Sequence, residues 1–524
     1  MTDASAAALS GLRAPAGTGR ISVRGLLVAL GIAVVVVGLF GRIMTFPTTH
    51  DEPMHLVAAR LIFRQPLYGT LGYNHLAGMP LLLGGVFALT GTNHLLLVGR
   101  LLVFLCWIPT AAILWAIARR HEGGPRLGVA AILVLSAGVL LSPAGMLATN
   151  NFLPVPFALL GVHLFIVALD GPRIRSGVLI GAGVALGCAV VMKISYMFLL
   201  PPVALAALVV PRGLAWGPRI ARVLLPLMVG GIIGGLPALV PLVSDPHMLF
   251  AHTVRYFTVG HYLYWQHSTA PKAMSLVARM LVAEDVWFGE SGLLAGILVG
   301  TAMWALARQD WRRLGWWPIP LVAGIVVLAA LLSFVPTPAF PQYYEPPIPF
   351  LIMLFLLVHR QIESQARNWF QPPIGAATVL ALVILLSRIV PDLPGAARPS
   401  RWAGTVAHAE GVALRDALAE RHHTGKVATL SPIIAMEGGL PIYPEFGTGP
   451  FVYRVADYLP AADRPYFTTT SPRDLNRFLD ADPPAAIVTG REPEFDPAFE
   501  AYARSHGYAP MATKDPETQI FLRP

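Results

Sequence analysis

What most constrains this chain is a succession of apolar runs, each near the length needed to cross a bilayer as a helix. At about 1.5 Å of rise per residue, roughly 20 residues span a hydrocarbon core of about 30 Å. Runs of this kind fall at 23–42, 93–117, 127–143, 153–169, 177–193, 195–211, 222–242, 290–307, 316–335, 344–358 and 372–390. The shorter ones must borrow polar flanks or thin the bilayer locally. Only 13% of the 524 residues are charged and 55% are hydrophobic, whereas a soluble domain carries about 25% charged residues. The expected fold is therefore a polytopic all-α membrane protein with about eleven transmembrane helices between 23 and 390.

The net charge of +9 does not point to nucleic acid, because the arginines sit in short gaps between apolar runs. Every second gap is basic: Arg20 and Arg24; Arg119, Arg120 and Arg126; Arg173 and Arg175; Arg212, Arg219 and Arg222; Arg308, Arg312 and Arg313; Arg360 and Arg367. The gaps 143–152 and 336–343 hold no basic residue. This alternation puts the amino terminus in the cytoplasm and the carboxyl terminus outside. Residues 1–22 read as a cytoplasmic tail, since no small-residue cleavage site follows the run Leu26–Phe40. The expected location is a bacterial inner membrane. Cys106 and Cys188 fall inside apolar runs and read as small buried hydrophobes.

Two segments expected on the outer side are long, 43–92 and 243–289. The first contains Met79–Leu89, too short to cross, which predicts an interfacial or re-entrant helix. From 391 to 524 the density of Asp, Glu, Arg and Pro is that of a soluble protein. There Lys426–Ser431, Ala485–Thr489 and Thr518–Leu522 read as strands, and Ser471–Leu479 and Phe499–His506 as helices. Ser471 is the expected cap of the first helix, with Pro472 at its first position. The mixture predicts a small α/β extracytoplasmic domain.

The sharpest polar feature is Thr49-His50-Asp51-Glu52-Pro53-Met54-His55, directly after the first run. A carboxylate at a membrane surface can serve as a general base or hold a cation. The plainer alternative is that Thr49 or Asp51 caps a helix beginning near Pro53, with His55, Ala59 and Ile62 on one face and Arg60 on another. Lys193 is a lone cation between two apolar runs, costly unless paired or snorkelling. Arg255 and Tyr256, in an aromatic stretch with Tyr262, Tyr264 and Trp265, suit either a phosphate clamp or an interfacial belt. Tyr343 and Tyr344, within Pro341–Pro347, offer a rigid surface to a sugar or prenyl chain, or anchor a helix. The histidines at 50, 55, 75, 94, 252, 261 and 267 show no strong zinc spacing. Asp51 and His55 are four apart, which leaves a divalent cation open.

The Asp51-Glu52 pair is followed by Ala58-Ala59-Arg60, Pro66-Leu67-Tyr68, Asn74-His75 and Pro80, and Gly99-Arg100-Leu101 opens the second run. This pattern resembles the polytopic glycosyltransferases of the GT-C fold, within them the family of protein O-mannosyltransferases and bacterial aminoarabinose and lipopolysaccharide-core sugar transferases. The resemblance covers roughly 23–360, and no residue of 391–524 adds to it. It implies transfer of a sugar from a polyprenyl-phosphate donor, among membrane lipids, to a lipid, glycan or protein acceptor at the outer face. Asp51 would be the catalytic carboxylate and Glu52 its acidic neighbour. Lys193, Arg255 and Arg60 would be candidate phosphate partners, and the tyrosine-proline stretch would close over the site. The chemistry itself asks for the same parts: a hydroxyl attacks well only as its proton is removed, and charge developing on a leaving phosphate needs donors or cations.

Members of that family often carry a second acid between the third and fourth runs. This chain has Asn150 and Asn151 there, which hydrogen-bond but take no proton, so Glu284, Asp285 and Glu290 are either the alternative source or ordinary loop acids. Two other functions compete. An envelope scaffold of the same fold would lack catalysis, and a secondary transporter would show repeated halves and ionisable residues at mid-span, neither of which the sequence displays.

Overall fold

The computed structural model describes residues 23–120, 124–269, 272–513 and 515–524, so the expected tail at 1–22 lies outside the described residues. Among the described residues, five helical stretches are long and apolar enough to cross a membrane: Leu26–Thr45, Leu95–Arg120, Trp216–Ser244, Glu290–Gly315 and Ala366–Ala396. The remaining apolar runs form shorter helices, Gly124–Ser136, Pro154–Leu169, Ser176–Met192, Ile194–Val209, Pro318–Leu332 and Pro347–Gln361. Pro154, Pro318 and Pro347 open their helices, where a missing N–H costs nothing. Apolar side chains such as Ile232, Val379 and Val383 are more than half exposed, a surface suited to lipid tails. Met79–Leu89 falls within a 13-residue helix, Gly78–Thr90, which packs along the Asp51–Leu61 helix.

The Ser176–Met192 helix crosses Leu225–Ser244 at backbone contact. A Cβ on Gly183 would lie 2.2 Å from the Leu227 carbonyl oxygen, and one on Gly230 would lie 2.0 Å from that of Ile180. Small residues at such crossings are how membrane helices pack without a hydrophobic drive between them. Lys193 is the single extended residue (φ −151°, ψ 118°) that separates this helix from the 3₁₀ turn Ile194–Leu199.

The C-terminal domain begins with the Ala403–Glu420 helix and holds a sheet of four strands in the order β1-β2-β4-β3. These are β1 (Val427–Thr429), β2 (Ala486–Thr489), β3 (Ala509–Met511) and β4 (Gln519–Leu522). β1 pairs in parallel with β2, while β4 runs antiparallel to both β2 and β3. The three expected strands are present, and β3 is additional: three residues at the sheet edge with Pro510 in the middle. The helix expected from Ser471 starts at Leu475 instead, with Asp474 at the cap position. The Asp474 N–H bonds back to the Ser471 carbonyl, a turn that delays the helix, and the Ser471 hydroxyl has no partner among the described residues. The second expected helix runs Asp496–Ser505. The Asp496 carboxylate accepts the N–H groups of Gly490 and Glu492, each at 2.7 Å, fastening the loop before it.

Candidate active site

The helix expected near Pro53 begins two residues earlier, at Asp51, with His50 in the cap position and no side-chain cap bond. The Thr49 hydroxyl has no partner among the described residues, so helix capping explains neither Thr49 nor Asp51. Two carboxylates in the first turn suit the positive end of the helix dipole, yet the two point into different surroundings. Glu52 is fully buried. Its Oε1 accepts Arg100 Nε at 2.9 Å and the Ala148 N–H at 2.8 Å, and its Oε2 accepts Arg100 Nη2 at 2.7 Å. Arg100 Nη1 also donates to the carbonyls of Ile43 (2.9 Å) and Phe46 (2.6 Å). Glu52 therefore locks the chain between the first helix and Asp51, and it is turned away from the cavity that Asp51 lines.

That cavity has a volume of about 320 Å³. Asp51, its side chain about a third exposed, is the one carboxylate among the lining residues. Lys193, Lys272 and Arg454 also line it. Lys193 Nζ donates to Asn151 Oδ1 at 2.8 Å and lies 5.6 Å from the Tyr343 ring centroid. Asn151 Nδ2 bonds the Thr149 hydroxyl at 3.0 Å, and Asn150 completes this wall. Aromatic rings of Tyr256, Phe257, Trp265, Phe340, Tyr343 and Phe451 cover much of the remainder. His55, His75 and His261 face the same space. Burial holds the His55 imidazole well below its ordinary value and brings His75 and His261 down to about 3. These rings are neutral at physiological pH, and the positive charge of the cavity rests on the two lysines and Arg454.

The C-terminal domain contributes to this site, which the sequence reading did not assign to it. Gly449, at φ 62°, turns the chain into the short helix Pro450–Val455, a conformation glycine adopts without strain. That helix presents Phe451 and Arg454 to the cavity. The Arg454 guanidinium stacks over Phe451 (4.9 Å), Trp265 (5.2 Å) and Tyr264 (5.4 Å), and its Nε has no partner among the described residues. His50 stands between Asp51 (3.8 Å) and Glu492 (3.6 Å) of the same domain. Burial, together with neighbouring Asp496, pushes the Glu492 carboxyl up to about 8.

The membrane part grips the domain from the other side. Tyr256 donates to the Phe451 carbonyl at 2.8 Å, His252 bonds the Tyr466 carbonyl at 2.9 Å, and Arg255 pairs with the buried Asp463. All three lie on Ala251–His261, wound as a wide π-helix.

Several expected residues fall elsewhere. Arg255 is spent on Asp463. Arg60 bonds Asn93 Oδ1 at 2.8 Å and does not line the cavity. Tyr344 packs against Trp287 and Phe334. Glu290 pairs with Arg388, and Asp285 lines a separate cavity of about 480 Å³ with Glu290 and Glu345. Glu284 lines neither. The sequence reading missed Glu345, a buried acid that is the main charge partner of Lys193. Its signal was its place between two tyrosines and two prolines. Three of the four histidines that line the cavity bond other side chains: His55 with Tyr73 (2.7 Å), His75 with Asn74 (2.8 Å) and His261 with Trp265 (2.9 Å). Among the described residues the group of three side chains arranged to hold a metal is His94, His408 and Glu437, outside this cavity.

Residues 77–240 match the family model described as dolichyl-phosphate-mannose-protein mannosyltransferase. No curated protein matches in sequence. The fold is similar to crystal structures of ArnT from Cupriavidus metallidurans. One is bound to undecaprenyl phosphate (TM-score 0.58, 14% identity, 96% of this chain and 98% of that one). The other is in the apo state (TM-score 0.58, 15% identity, 95% and 98%). The archaeal oligosaccharyltransferase AglB from Archaeoglobus fulgidus aligns at a TM-score of 0.47 and 10% identity, over 93% of this chain and 73% of that one. The chain is thus a multi-spanning helical membrane protein with a small C-terminal domain, and it shares the GT-C fold of ArnT.

Proposed function

We propose that the cavity at Asp51 transfers a sugar from a polyprenyl-phosphate donor to an acceptor hydroxyl on a lipid, glycan or protein. The observation that carries this reading is one carboxylate facing three cations in an aromatic-walled cavity. Asp51 takes the proton of the acceptor hydroxyl as its oxygen bonds to the anomeric carbon. The bond from that carbon to the phosphate oxygen breaks, and Lys193, Lys272 and Arg454 receive the charge left on the lipid phosphate. Asn151 holds Lys193 in place, and the aromatic rings pack against the sugar and the first prenyl units, while Glu52 and Arg100 stabilise the fold around Ile43–Pro47 and take no part in the chemistry. Every step is carried by Asp51, Lys193, Lys272 and Arg454.

The alternation of basic gaps supports a cytoplasmic amino terminus, with the cavity and the domain 391–524 on the opposite face of a bacterial inner membrane. The test is release of polyprenyl phosphate from a panel of polyprenyl-phosphate sugars by the purified chain. Removal of a general base costs about 10²–10⁴-fold, so Asp51→Asn should lose turnover by that factor while staying folded and membrane-inserted. Normal turnover in that variant would remove Asp51 from the mechanism.

A further inference from the structure

His94, His408 and Glu437 come from three separate elements: the residue before the Leu95–Arg120 helix, the Ala403–Glu420 helix, and the end of the Ile433–Glu437 helix. Two glycines bring them together. A Cβ on Gly404 would lie 2.6 Å from the Leu97 nitrogen, and one on Gly411 would lie 2.5 Å from the Gly438 nitrogen. The Ala403–Glu420 helix thus rests directly on both neighbours. One ligand atom from each of the three side chains lies within 4.8 Å of the other two. His408 Nδ1 is 3.0 Å from Glu437 Oε2, and the rings of His94 and His408 are 3.8 Å apart. Glu437 Oε1 accepts the Leu96 N–H at 2.8 Å, so the buried carboxylate is already oriented, as supporting groups orient metal ligands.

We propose that this cluster binds a divalent transition-metal ion of the zinc class, which clamps the C-terminal domain onto the head of the Leu95–Arg120 helix. Two imidazoles and a carboxylate are borderline donors of the kind zinc takes, with water in the fourth position. Bonds of about 2.0–2.2 Å set tetrahedral ligands roughly 3.3 Å apart. The exposed His94 ring reaches that spacing by a swing on the order of 1 Å. The metal takes the place of the proton shared between His408 Nδ1 and Glu437 Oε2, which leaves to solvent. The ion is structural: it ties down the domain that carries Phe451 and Arg454 and touches neither.

The experiment uses the full chain in detergent, stripped with a chelator and titrated with Zn²⁺ alone. Elemental analysis after desalting should find about one zinc per wild-type chain. Both His94→Ala and the His94→Ala/His408→Ala double variant should retain none. Zinc should raise the apparent melting temperature of the wild type by a few degrees and slow proteolysis of the C-terminal domain, with neither effect in the variants. Because the His94 side chain is exposed, its variant is expected to fold and keeps the test valid. Wild type without stoichiometric zinc, or zinc retained by the double variant, would overturn the proposal.

Discussion

Glu52→Gln separates the two adjacent acids by the role each side chain plays. Both Glu52 oxygens are occupied, accepting two nitrogens of Arg100 and one backbone N–H from Ala148. Glutamine keeps one acceptor, turns an amide NH₂ toward the guanidinium, and leaves the fully buried Arg100 without a counter-charge. Breaking a buried pair by removing one partner costs about 3–5 kcal/mol. At roughly 2 °C per kcal/mol for a large chain, the apparent melting temperature should fall by about 6–10 °C. The assay is loss of the monodisperse species on heating in detergent, with turnover measured well below the transition. Glu52→Gln should melt early yet turn over at low temperature, whereas Asp51→Asn should melt as wild type and turn over poorly. A double Glu52→Met/Arg100→Met variant, free of buried charge, should recover much of the loss. The reasoning is refuted if Glu52→Gln melts within about 1 °C of wild type, well short of that cost, or loses turnover at low temperature while folded.

Three further outcomes are expected. Arg454→Ala should weaken binding of undecaprenyl phosphate by about 10- to 100-fold, since a hydrogen bond to a charged group is worth about 1.5–3 kcal/mol; a lipid titration showing unchanged affinity would contradict it. Glu492, raised to about 8 by burial, must either hold its proton or ionise at a cost as pH rises above the ordinary carboxylate range. Its contribution to stability is full below that range and lost as pH climbs through about 8. Glu492→Gln should therefore equal wild type near pH 4.5 and melt above it at pH 9, and a gap that shrinks with rising pH would reverse the sign. For the topology, a cysteine at the exposed Arg473, in a background lacking Cys106 and Cys188, should react with an impermeant reagent from the extracytoplasmic side. Labelling only after the membrane is opened would invert the orientation.

The membrane half was legible because periodicity hardly matters there: run length and the placement of arginines locate helices without tertiary information. The same signals are silent on Arg60 and Arg255, whose partners, Asn93 and Asp463, are distant in sequence. Lys193 could be flagged as a costly lone cation, but its setting against Asn151 and Tyr343 depends on three separate segments meeting. Glu52 looked like half of an acidic pair because sequence adjacency hides that successive helix residues point about 100° apart. The largest omission was Arg454. Pro450-Phe-Val-Tyr-Arg-Val reads locally as an ordinary helix of a soluble domain, and only the docking of that domain brings its arginine beside the lysines.

Whether the Asp51 cavity receives a lipid-linked phosphate is tested most directly by a structure of this chain with undecaprenyl phosphate bound. The phosphate should sit among Lys193, Lys272 and Arg454, with the prenyl chain leaving past the aromatic wall toward the membrane. A phosphate seated instead in the neighbouring cavity of about 590 Å³, beside Thr45, Glu410 and Arg491, would contradict the claim.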